Sequence, residues 1–428
     1  MSALFGSFED RNFRLFFTGA LISNTGTWMS RVAQDWLVLV ELTDHSAPAL
    51  GLVTGLQFLP MLLLAPVAGV LADRFAKNRV LVVTNLAMCA TSSLLGALVI
   101  SGAAQLWHVY AIAFAQGIAA AVDGPARMAF VSEIVTPSHL TNAIGLNSAS
   151  FNAARMIGPG VAGLMIAGIG TGPVFFVNAM SFLAYLAAIA RMDRSLLRPA
   201  TPARGKGQLV AGLRYVRARP DILLLLAIVF MFGTFALNYQ ITTALMATLV
   251  YAKGPAEYGL LGSIMAIGSL AAAIWVASRA RPRLRMILVA LGAYTILSTA
   301  LALAPTYETF AVLLVPVGFC ALVVMPTCNA LVQLSTAPEM RGRVMALYMA
   351  IFFGGTPLGA PMIGWIGQVW GPRWTILAGS VATLLTCVVA TAYVLRSGDL
   401  RVRYQRQVPY LRLERGDGLV RPLPEVDR

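Results

Sequence analysis

The sequence predicts an all-α integral membrane protein with twelve transmembrane helices in two pseudo-symmetric six-helix bundles and both termini in the cytoplasm. Composition is the first reason, because 12% of the 428 residues are charged and 58% are hydrophobic. Soluble domains carry about 25% charged residues, and the mean hydropathy of this chain is +0.75. The second reason is a series of apolar runs long enough to cross a hydrocarbon core of about 30 Å. The third is the placement of the basic residues.

Apolar runs bounded by charge, proline or glycine define the predicted helices. A membrane-spanning helix needs about 20 such residues. The runs fall into two sets of six, separated by the longest polar loop. The predicted helices cover residues 13–40, 48–72, 79–101, 106–127, 139–168 and 172–191, followed by 221–250, 257–278, 284–304, 308–332, 341–368 and 373–395.

The positions of the basic residues determine the predicted topology. Of the 32 Lys and Arg residues, twenty-eight fall in segments that are cytoplasmic if the N terminus is cytoplasmic. Only Lys253 and Arg373 fall outside, while Arg31 and Arg155 lie within helices. This asymmetry follows the positive-inside rule and explains the net charge of +14 without nucleic-acid binding. We therefore expect a multi-pass protein of the cell (inner) membrane.

The chain divides into four predicted parts. Residues 1–191 form the N-terminal bundle and residues 221–396 the C-terminal bundle. Residues 192–220 are a cytoplasmic linker, in which apolar and basic residues alternate over 208–219 as in an amphipathic helix at a membrane surface. Residues 397–428 mix charges and prolines without apolar periodicity, which predicts a disordered cytoplasmic tail.

The sequence shows no cluster of residues suited to a metal, a cofactor or enzymatic catalysis. Its four cysteines stand inside apolar runs without metal-ligand spacing. His45, His108 and His139 are far apart, and no Gly-rich phosphate-binding loop is recognisable. We therefore expect a protein that uses no cofactor, binds no metal and is not an enzyme. We also expect it to be a monomer.

The first predicted helix carries two charged residues in an otherwise apolar run. Arg31 and Asp35 are spaced i to i+4, so they share a face and can pair, and Asn24, Thr27 and Trp28 continue that face. Each charge inside the membrane costs about 3 kcal/mol. Two interpretations stay open. The residues form a structural ion pair, or Asp35 is a proton-titratable carboxylate whose pKa is tuned by Arg31 and by burial.

Polar residues also stand in the fifth and seventh predicted helices. Arg155 is a second cation inside the membrane, on roughly one face with Asn152. It can receive an anionic group of a substrate, or it can pair with an acid such as Asp35. Hydrogen-bonding groups of the seventh helix, for substrate or for helix packing, are Asn238, Tyr239 and Gln240.

The loop between the second and third predicted helices carries a motif. It reads GVLADRFAKNR from Gly69 to Arg79, with Asp73 and Arg74 at its centre. This resembles the signature loop of the major facilitator superfamily, in which a glycine permits close helix approach and an aspartate favours one conformational state. Ala76 stands where that motif has its second glycine.

A second motif lies in the fifth predicted helix. Gly158, Pro159 and Gly163 belong to the run GPGVAG, which resembles the Gly-Pro motif of antiporters in this superfamily. Small residues permit tight helix packing, and the proline bends the helix. The resemblance favours export, with plain packing as the alternative. Members of the superfamily have an arginine in the fourth helix to which proton coupling is usually assigned, and Ala113 stands at that position here. We therefore expect the proton-coupling residue in the first helix.

Five further stretches are similar to one branch of the superfamily, which contains the enterobactin exporter and related transmembrane secretion effectors. The similarity covers nearly the whole chain. The stretches are RNFR from Arg11, QFLP from Gln57, DGPAR from Asp123 to Arg127, the pair Asn142 and Ala143 followed by ARMIGP at 154–159, and RGRVM, which begins with Arg341 and includes Arg343.

Charged residues of the cytoplasmic loops form a predicted network that stabilises the outward-open state. The alternative is a solvated rim, because exposed pairs are worth about 0 to 1 kcal/mol each. The members are Asp73, Arg74, Arg79, Asp123, Arg127, Glu133, Glu339, Arg341 and Arg343.

The resemblance implies a secondary active transporter that works by alternating access between two bundles. The expected activity is proton-coupled export of an amphipathic small molecule, such as a drug, an antibiotic or a siderophore. The expected partners are this substrate, protons and membrane lipid. Import or facilitated passage of a small metabolite is one alternative, and a non-transporting membrane enzyme is another.

Overall fold

Long helices form nearly all of the described chain. In lipid each backbone polar group must be hydrogen-bonded within the protein, and a helix achieves this alone. The structure is a computed structural model that describes residues 3–198, 208–279, 282–396, 400–405 and 410–415, with side chains described except at 3–5, 65–73, 208–211 and 400–415.

Six long helices form the first bundle. The first follows a 3-10 segment, Ala3–Glu9, and continues beyond its end as a π-helical turn, Leu37–Leu42. The helices are α1 (Arg11–Trp36), α2 (Ala47–Arg74), α3 (Lys77–Ile100), α4 (Leu106–Ile134), α5 (Leu140–Ile169) and α6 (Thr171–Ala190).

A short helix, α7 (Gln208–Arg217), precedes the second bundle. The first membrane-spanning segment of that bundle is interrupted. It consists of α8 (Pro220–Phe235) and α9 (Tyr239–Leu245), and α9 continues into a π-helical turn, Met246–Val250. The remaining helices are α10 (Pro255–Ala277), α11 (Leu284–Ala302), α12 (Tyr307–Ser335), α13 (Arg341–Trp370) and α14 (Pro372–Arg396).

Most helix boundaries lie within a few residues of the predicted ones, and two features differ. α4 continues through Pro125 to Ile134 rather than ending at 127. The seventh predicted helix is not continuous, because the chain leaves helical geometry between Phe235 and Tyr239. The prediction treated Asn238, Tyr239 and Gln240 as polar residues within one continuous helix and not as the sign of a break.

Ten of the described helical segments are long and apolar enough to cross a membrane. The long helices α1 and α5 are outside this set, and they are the ones that carry Arg31, Asp35 and Arg155. The all-helical membrane fold is therefore confirmed, while the count of twelve crossings and the side of the termini stay predictions. These charged residues lower the mean hydropathy of α1 and α5, which helps to explain why the two helices are outside the set.

The two ends of the molecule differ in charge. We call the end that carries the Lys- and Arg-rich segments the basic end, and the end with Lys253 and Arg373 the opposite end. The bundles meet along two helix pairs, α2 with α13 and α5 with α10. In the first pair, Gly51 of α2 lies against the backbone of Ala360 in α13. This contact belongs to the half of each helix that is nearer the opposite end.

The C-terminal tail differs from its prediction. A two-stranded antiparallel hairpin, β1 (Leu400–Gln405) with β2 (Tyr410–Arg415), lies where a disordered segment was predicted. Apolar and charged residues alternate in both strands, which is the period of a strand, and the sequence reasoning did not weigh this short alternation. The remaining tail residues, and the predicted linker residues 199–207, lie outside the described chain.

Candidate functional site

Asp35 connects the two bundles. Its carboxylate is buried, 4% exposed, and accepts a hydrogen bond from the Tyr258 hydroxyl of α10 at 2.9 Å. The neighbouring Trp36 ring stacks on the Tyr258 ring with centroids 6.4 Å apart. Asp35 lies in the last turn of α1 and Tyr258 in the first turn of α10, so the contact is near the opposite end.

Arg31 and Asp35 do not form the ion pair that their spacing allows. The Arg31 guanidinium lies over the rings of Trp28 and Phe58, at 4.8 and 5.4 Å from the centroids. Among the described residues, no carboxylate lies within 4.0 Å of it. Phe58 on α2 holds Arg31 inside the first bundle, while Tyr258 draws Asp35 towards the second. The two residues therefore make no direct salt bridge in this conformation.

Arg155 also bridges the bundles. Its Nη2 donates to the Ser269 hydroxyl of α10 at 2.8 Å, near the middle of both helices. Asn152 donates to the Ser148 carbonyl of its own helix at 2.9 Å. The structure thus gives Arg155 a hydroxyl partner and not the Asp35 carboxylate. Asn24 is half-buried in α1 without contributing to this contact.

The Gly-Pro motif of α5 forms the seam with α10. The Gly160 N–H donates to the Ser263 hydroxyl at 3.0 Å. A Cβ at Gly163 would overlap the carbonyl of Pro255, and Gly158 packs on Trp28 of α1. The small residues therefore do pack helices tightly, and the seam that they form joins the two bundles.

The break between α8 and α9 is a second polar region of the molecule. Its polar residues were named from the sequence, but the break was not predicted. Asn238 is buried and donates to the Thr234 carbonyl at 2.7 Å. Asn238 Oδ1 and Thr234 Oγ1 are buried without a hydrogen-bond partner. Gly359 of α13 packs directly on the Thr234 carbonyl. Interrupted helices of this kind commonly line substrate sites in transporters.

Tyr239 and Gln240 begin the helix after the break. The Tyr239 hydroxyl donates to the Tyr294 hydroxyl at 2.6 Å, which in turn donates to the Ala236 carbonyl at 3.0 Å. Gln240 is half-buried. Tyr239 therefore stabilises the broken backbone through Tyr294, which supports packing as one of its roles.

Charged residues at the basic end form local pairs among the side chains that the structure describes, and the predicted network of the outward-open state stays a prediction. Asp123 accepts from Arg127 Nε at 2.9 Å and from Thr84 and Asn85. Glu133 pairs with Lys77 at 3.2 Å. Both pairs lie within the first bundle. Arg74, Arg79, Glu339 and Arg341 extend into solvent, and Arg343 donates to Met340 Sδ, while Gly69 and Asp73 belong to a stretch whose side chains lie outside the described residues.

The Lys77–Glu133 pair predicts a stability effect. Both side chains are about nine-tenths buried, with 10% and 8% exposed. Glu133→Ala leaves the ammonium buried and unpaired, which costs about 3 to 5 kcal/mol, so we expect a clearly lower melting temperature in detergent. Asp44→Ala is the control, because Asp44 is exposed and its contact with His45 is 3.6 Å long. Equal melting temperatures for both variants would contradict a stabilising buried pair.

Two helical bundles joined along a polar seam, with interrupted and charged helices at the junction, are the arrangement expected of a membrane transporter. The chain belongs to the family described as transmembrane secretion effector, which matches residues 2–414. It is therefore a major facilitator superfamily transporter and a multi-pass membrane protein, and not an enzyme.

Similar proteins agree with this assignment. The multidrug efflux pump Tap of Mycolicibacterium fortuitum is 29% identical over 396 residues, covering 88% of this chain and 94% of the pump. The enterobactin exporter EntS of Shigella flexneri is 26% identical and covers 88% of this chain and 90% of its own. The crystal structure of a bacterial homolog of the human lysosomal transporter Spinster, inward-facing and unoccupied, aligns with a TM-score of 0.71 at 15% identity, over 90% of this chain and 98% of that chain. This last likeness supports the fold.

Proposed function

We propose that the chain exports an amphipathic small molecule, such as a drug, an antibiotic or a siderophore, in exchange for protons. The names of the similar efflux pump and siderophore exporter support the substrate class and the direction. The single observation that carries the coupling is the buried Asp35 at the junction of the bundles, hydrogen-bonded across it to Tyr258.

The contacts between the bundles support alternating access. Among the described residues, the hydrogen bonds that join them lie near the membrane middle, at Arg155, or nearer the opposite end, at Gly160, Tyr258 and Ala47. The opposite end is thus closed. We propose that it is the outer side, with both termini cytoplasmic, and that the structure represents the inward-open state.

Asp35 couples the closure to a proton in this proposal. Closing the opposite end takes the carboxyl out of water, and burying a charged carboxylate is costlier than burying a neutral one. A proton taken up from outside therefore favours closure, and its release inside allows the loaded carrier to open outward. Substrate-contacting groups are proposed among Asn24, Asn152, Arg155, Asn238 and Gln240.

The remaining parts have proposed roles around this cycle. Residues 1–191 and 221–396 act as the two moving units, connected by 192–220, and the chain works as a monomer. The charges at the basic end, with Asp73, Arg74 and Arg341 among them, come together when that end closes and stabilise the outward-open state.

Transport into everted membrane vesicles tests the proposed function. Vesicles that contain the protein are acidified inside and given a panel of fluorescent amphipathic drugs and ferric-siderophore analogues. We expect at least one compound to accumulate, and to be lost when nigericin collapses the pH gradient. Counterflow in proteoliposomes should show trans-stimulation, which a channel lacks. Accumulation that ignores the gradient would contradict proton coupling.

Removing the Tyr258 hydroxyl should loosen the opposite end. Its hydrogen bond to Asp35 is worth about 1 to 3 kcal/mol, so Tyr258→Phe should raise the population open at that end by about 5- to 150-fold. The readout is the rate at which an impermeant maleimide labels a cysteine at Ala256, which lies in the α5–α10 seam.

The matched control is Tyr307→Phe. The Tyr307 hydroxyl also contacts α10, donating to the Glu257 carbonyl at 2.9 Å, but this bond stays within the second bundle. We expect Tyr307→Phe to leave the labelling rate near that of the parent protein. Equal rates in both variants would show that the Asp35–Tyr258 bond does not hold the end closed.

A further inference from the structure

A small cavity inside the first bundle lies beside Arg31. Its volume is about 50 Å³, and α1, α2, α3, α4 and α6 contribute its walls. A cavity of about 10 to 15 Å³ by this measure already holds one water, so this one has room for a few waters or for one small polar group and not for a drug-sized ligand. Its polar lining residues are Thr27, Ser30, Gln34, Gln57, Gln116 and Asn178.

Arg31 supplies this cavity with a cation that has no salt-bridge partner within 4.0 Å among the described residues. The guanidinium is always protonated in proteins, and its buried Nε has no hydrogen-bond partner. The rings of Trp28 and Phe58 offset part of the charge by cation–π contacts at 4.8 and 5.4 Å. Such contacts leave the in-plane N–H donors free, and these are the donors that bind oxyanions.

The surrounding groups favour an anion over water alone. Asp35 is the acid nearest in sequence, and its bond to Tyr258 directs it towards α10. A planar guanidinium binds a carboxylate through two parallel N–H···O bonds. The amides of Gln34, Gln57 and Gln116 add donors around the same space. The cavity size suits the carboxylate group and leaves the apolar body of a ligand outside it.

We propose that Arg31 anchors a subsite for the carboxylate group of an amphipathic cargo. The subsite deepens the proposed export function by naming an anionic carboxylate as the preferred cargo class. The subsite rests on the proposed export function in one respect, because the cargo must enter between the two bundles to reach it. Binding itself depends neither on transport direction nor on a proton gradient.

Equilibrium binding of a matched probe pair tests the proposal. Dansylaminoundecanoate carries a carboxylate, and its methyl ester has the same apolar body without the charge. Both are titrated into purified protein in nanodiscs, with empty nanodiscs subtracted. We expect the carboxylate to bind at least about tenfold more tightly than the ester, as charge-assisted hydrogen bonds imply.

Variants at Arg31 show whether this residue causes the preference for the carboxylate probe over its ester. Arg31→Gln should lower carboxylate affinity about 10- to 100-fold and leave ester affinity within about twofold, so ester binding also reports folding. Arg31→Lys, which keeps the charge but not the bidentate geometry, should retain an intermediate preference. If Arg31→Gln does not fold, the Arg31→Lys result decides, because an undiminished preference there would contradict the guanidinium subsite.

Arg279→Gln is the matched control. The Arg279 guanidinium also lies over a tryptophan ring, Trp275 at 4.5 Å, but at the exposed end of α10, so its loss should leave both affinities unchanged. The proposal is overturned if the wild type binds the two probes equally or binds neither, or if Arg31→Gln keeps the carboxylate preference. Export of uncharged or cationic compounds in the vesicle assay would then still support the proposed function, so the two failures are distinguishable.

Discussion

Asp35→Asn is expected to reduce proton-driven export to the level of membranes without the protein. The amide resembles the protonated carboxyl in shape and still accepts the Tyr258 hydrogen bond, which is 2.9 Å long in the wild type. It can neither bind nor release a proton, so the pH gradient cannot drive the cycle. Substrate counterflow in proteoliposomes should fall as well, because the variant cannot lose a proton to let the loaded carrier open outward.

Glu41→Gln is the matched control for this prediction. Glu41 lies in the π-helical turn that continues α1, the helix of Asp35. Its side chain is exposed and accepts a hydrogen bond from Thr171 at 2.9 Å within the first bundle. Its neutralisation should leave export near the wild-type rate. Unchanged gradient-driven export in Asp35→Asn would sink the coupling role of Asp35, whatever the control shows.

Gly163→Val is expected to stop the cycle by a different route. The α5 and α10 backbones are so close at this position that a Cβ overlaps the Pro255 carbonyl. Overpacking typically costs about 1 to 3 kcal/mol, and here the cost falls only on the state in which the seam is closed. The variant should therefore favour the state open at the opposite end by about 5- to 150-fold and lose both net export and counterflow.

Gly168→Val, in the same helix, separates this effect from a general effect on α5. Nothing lies within 4 Å of a Cβ at Gly168, which faces away from the seam. It should insert normally and transport at the wild-type rate. Wild-type counterflow in Gly163→Val would show that the seam does not need to close as tightly during transport as it does in this structure.

Much of the fold could be predicted from the sequence, because lipid imposes simple rules. Apolar length located α3, α6 and α11 to within a few residues, and the positive charges indicated which loops share an end. α1 and α5 were recognised despite their lower apolarity, because both lie between clear loop signals. The hairpin after α14 was missed, since two short alternating stretches are a weak signal beside a charged and proline-containing composition.

The candidate site was harder to predict, because helical spacing shows which residues share a face and not what they meet. The i to i+4 rule brought Arg31 and Asp35 together, yet Phe58 and Tyr258, from helices distant in sequence, separate them. Asn238 was named as polar, but the break beside it depends on the close approach of Gly359. Nothing in the sequence pairs Tyr258 with Asp35, and their hydrogen bond follows from tertiary packing alone.

If a proton on Asp35 controls closure of the opposite end, that closure must depend on pH, and a distance measured by pulsed electron spin resonance reports it. Spin labels replace Ser101, at the end of α3, and Leu303, at the end of α11, after the native cysteines are changed to alanine. Both positions are exposed and belong to different bundles. Distances are recorded in nanodiscs between about pH 5 and pH 9, a range over which carboxyl groups perturbed by burial titrate.

We expect the short-distance population to grow as the pH falls in the wild type, because protonation permits burial of Asp35. In Asp35→Asn the short distance should dominate at every pH. A wild-type distance distribution that is the same across this pH range, or an Asp35→Asn distribution that follows pH as the wild type does, would show that a proton on Asp35 does not control closure of the opposite end.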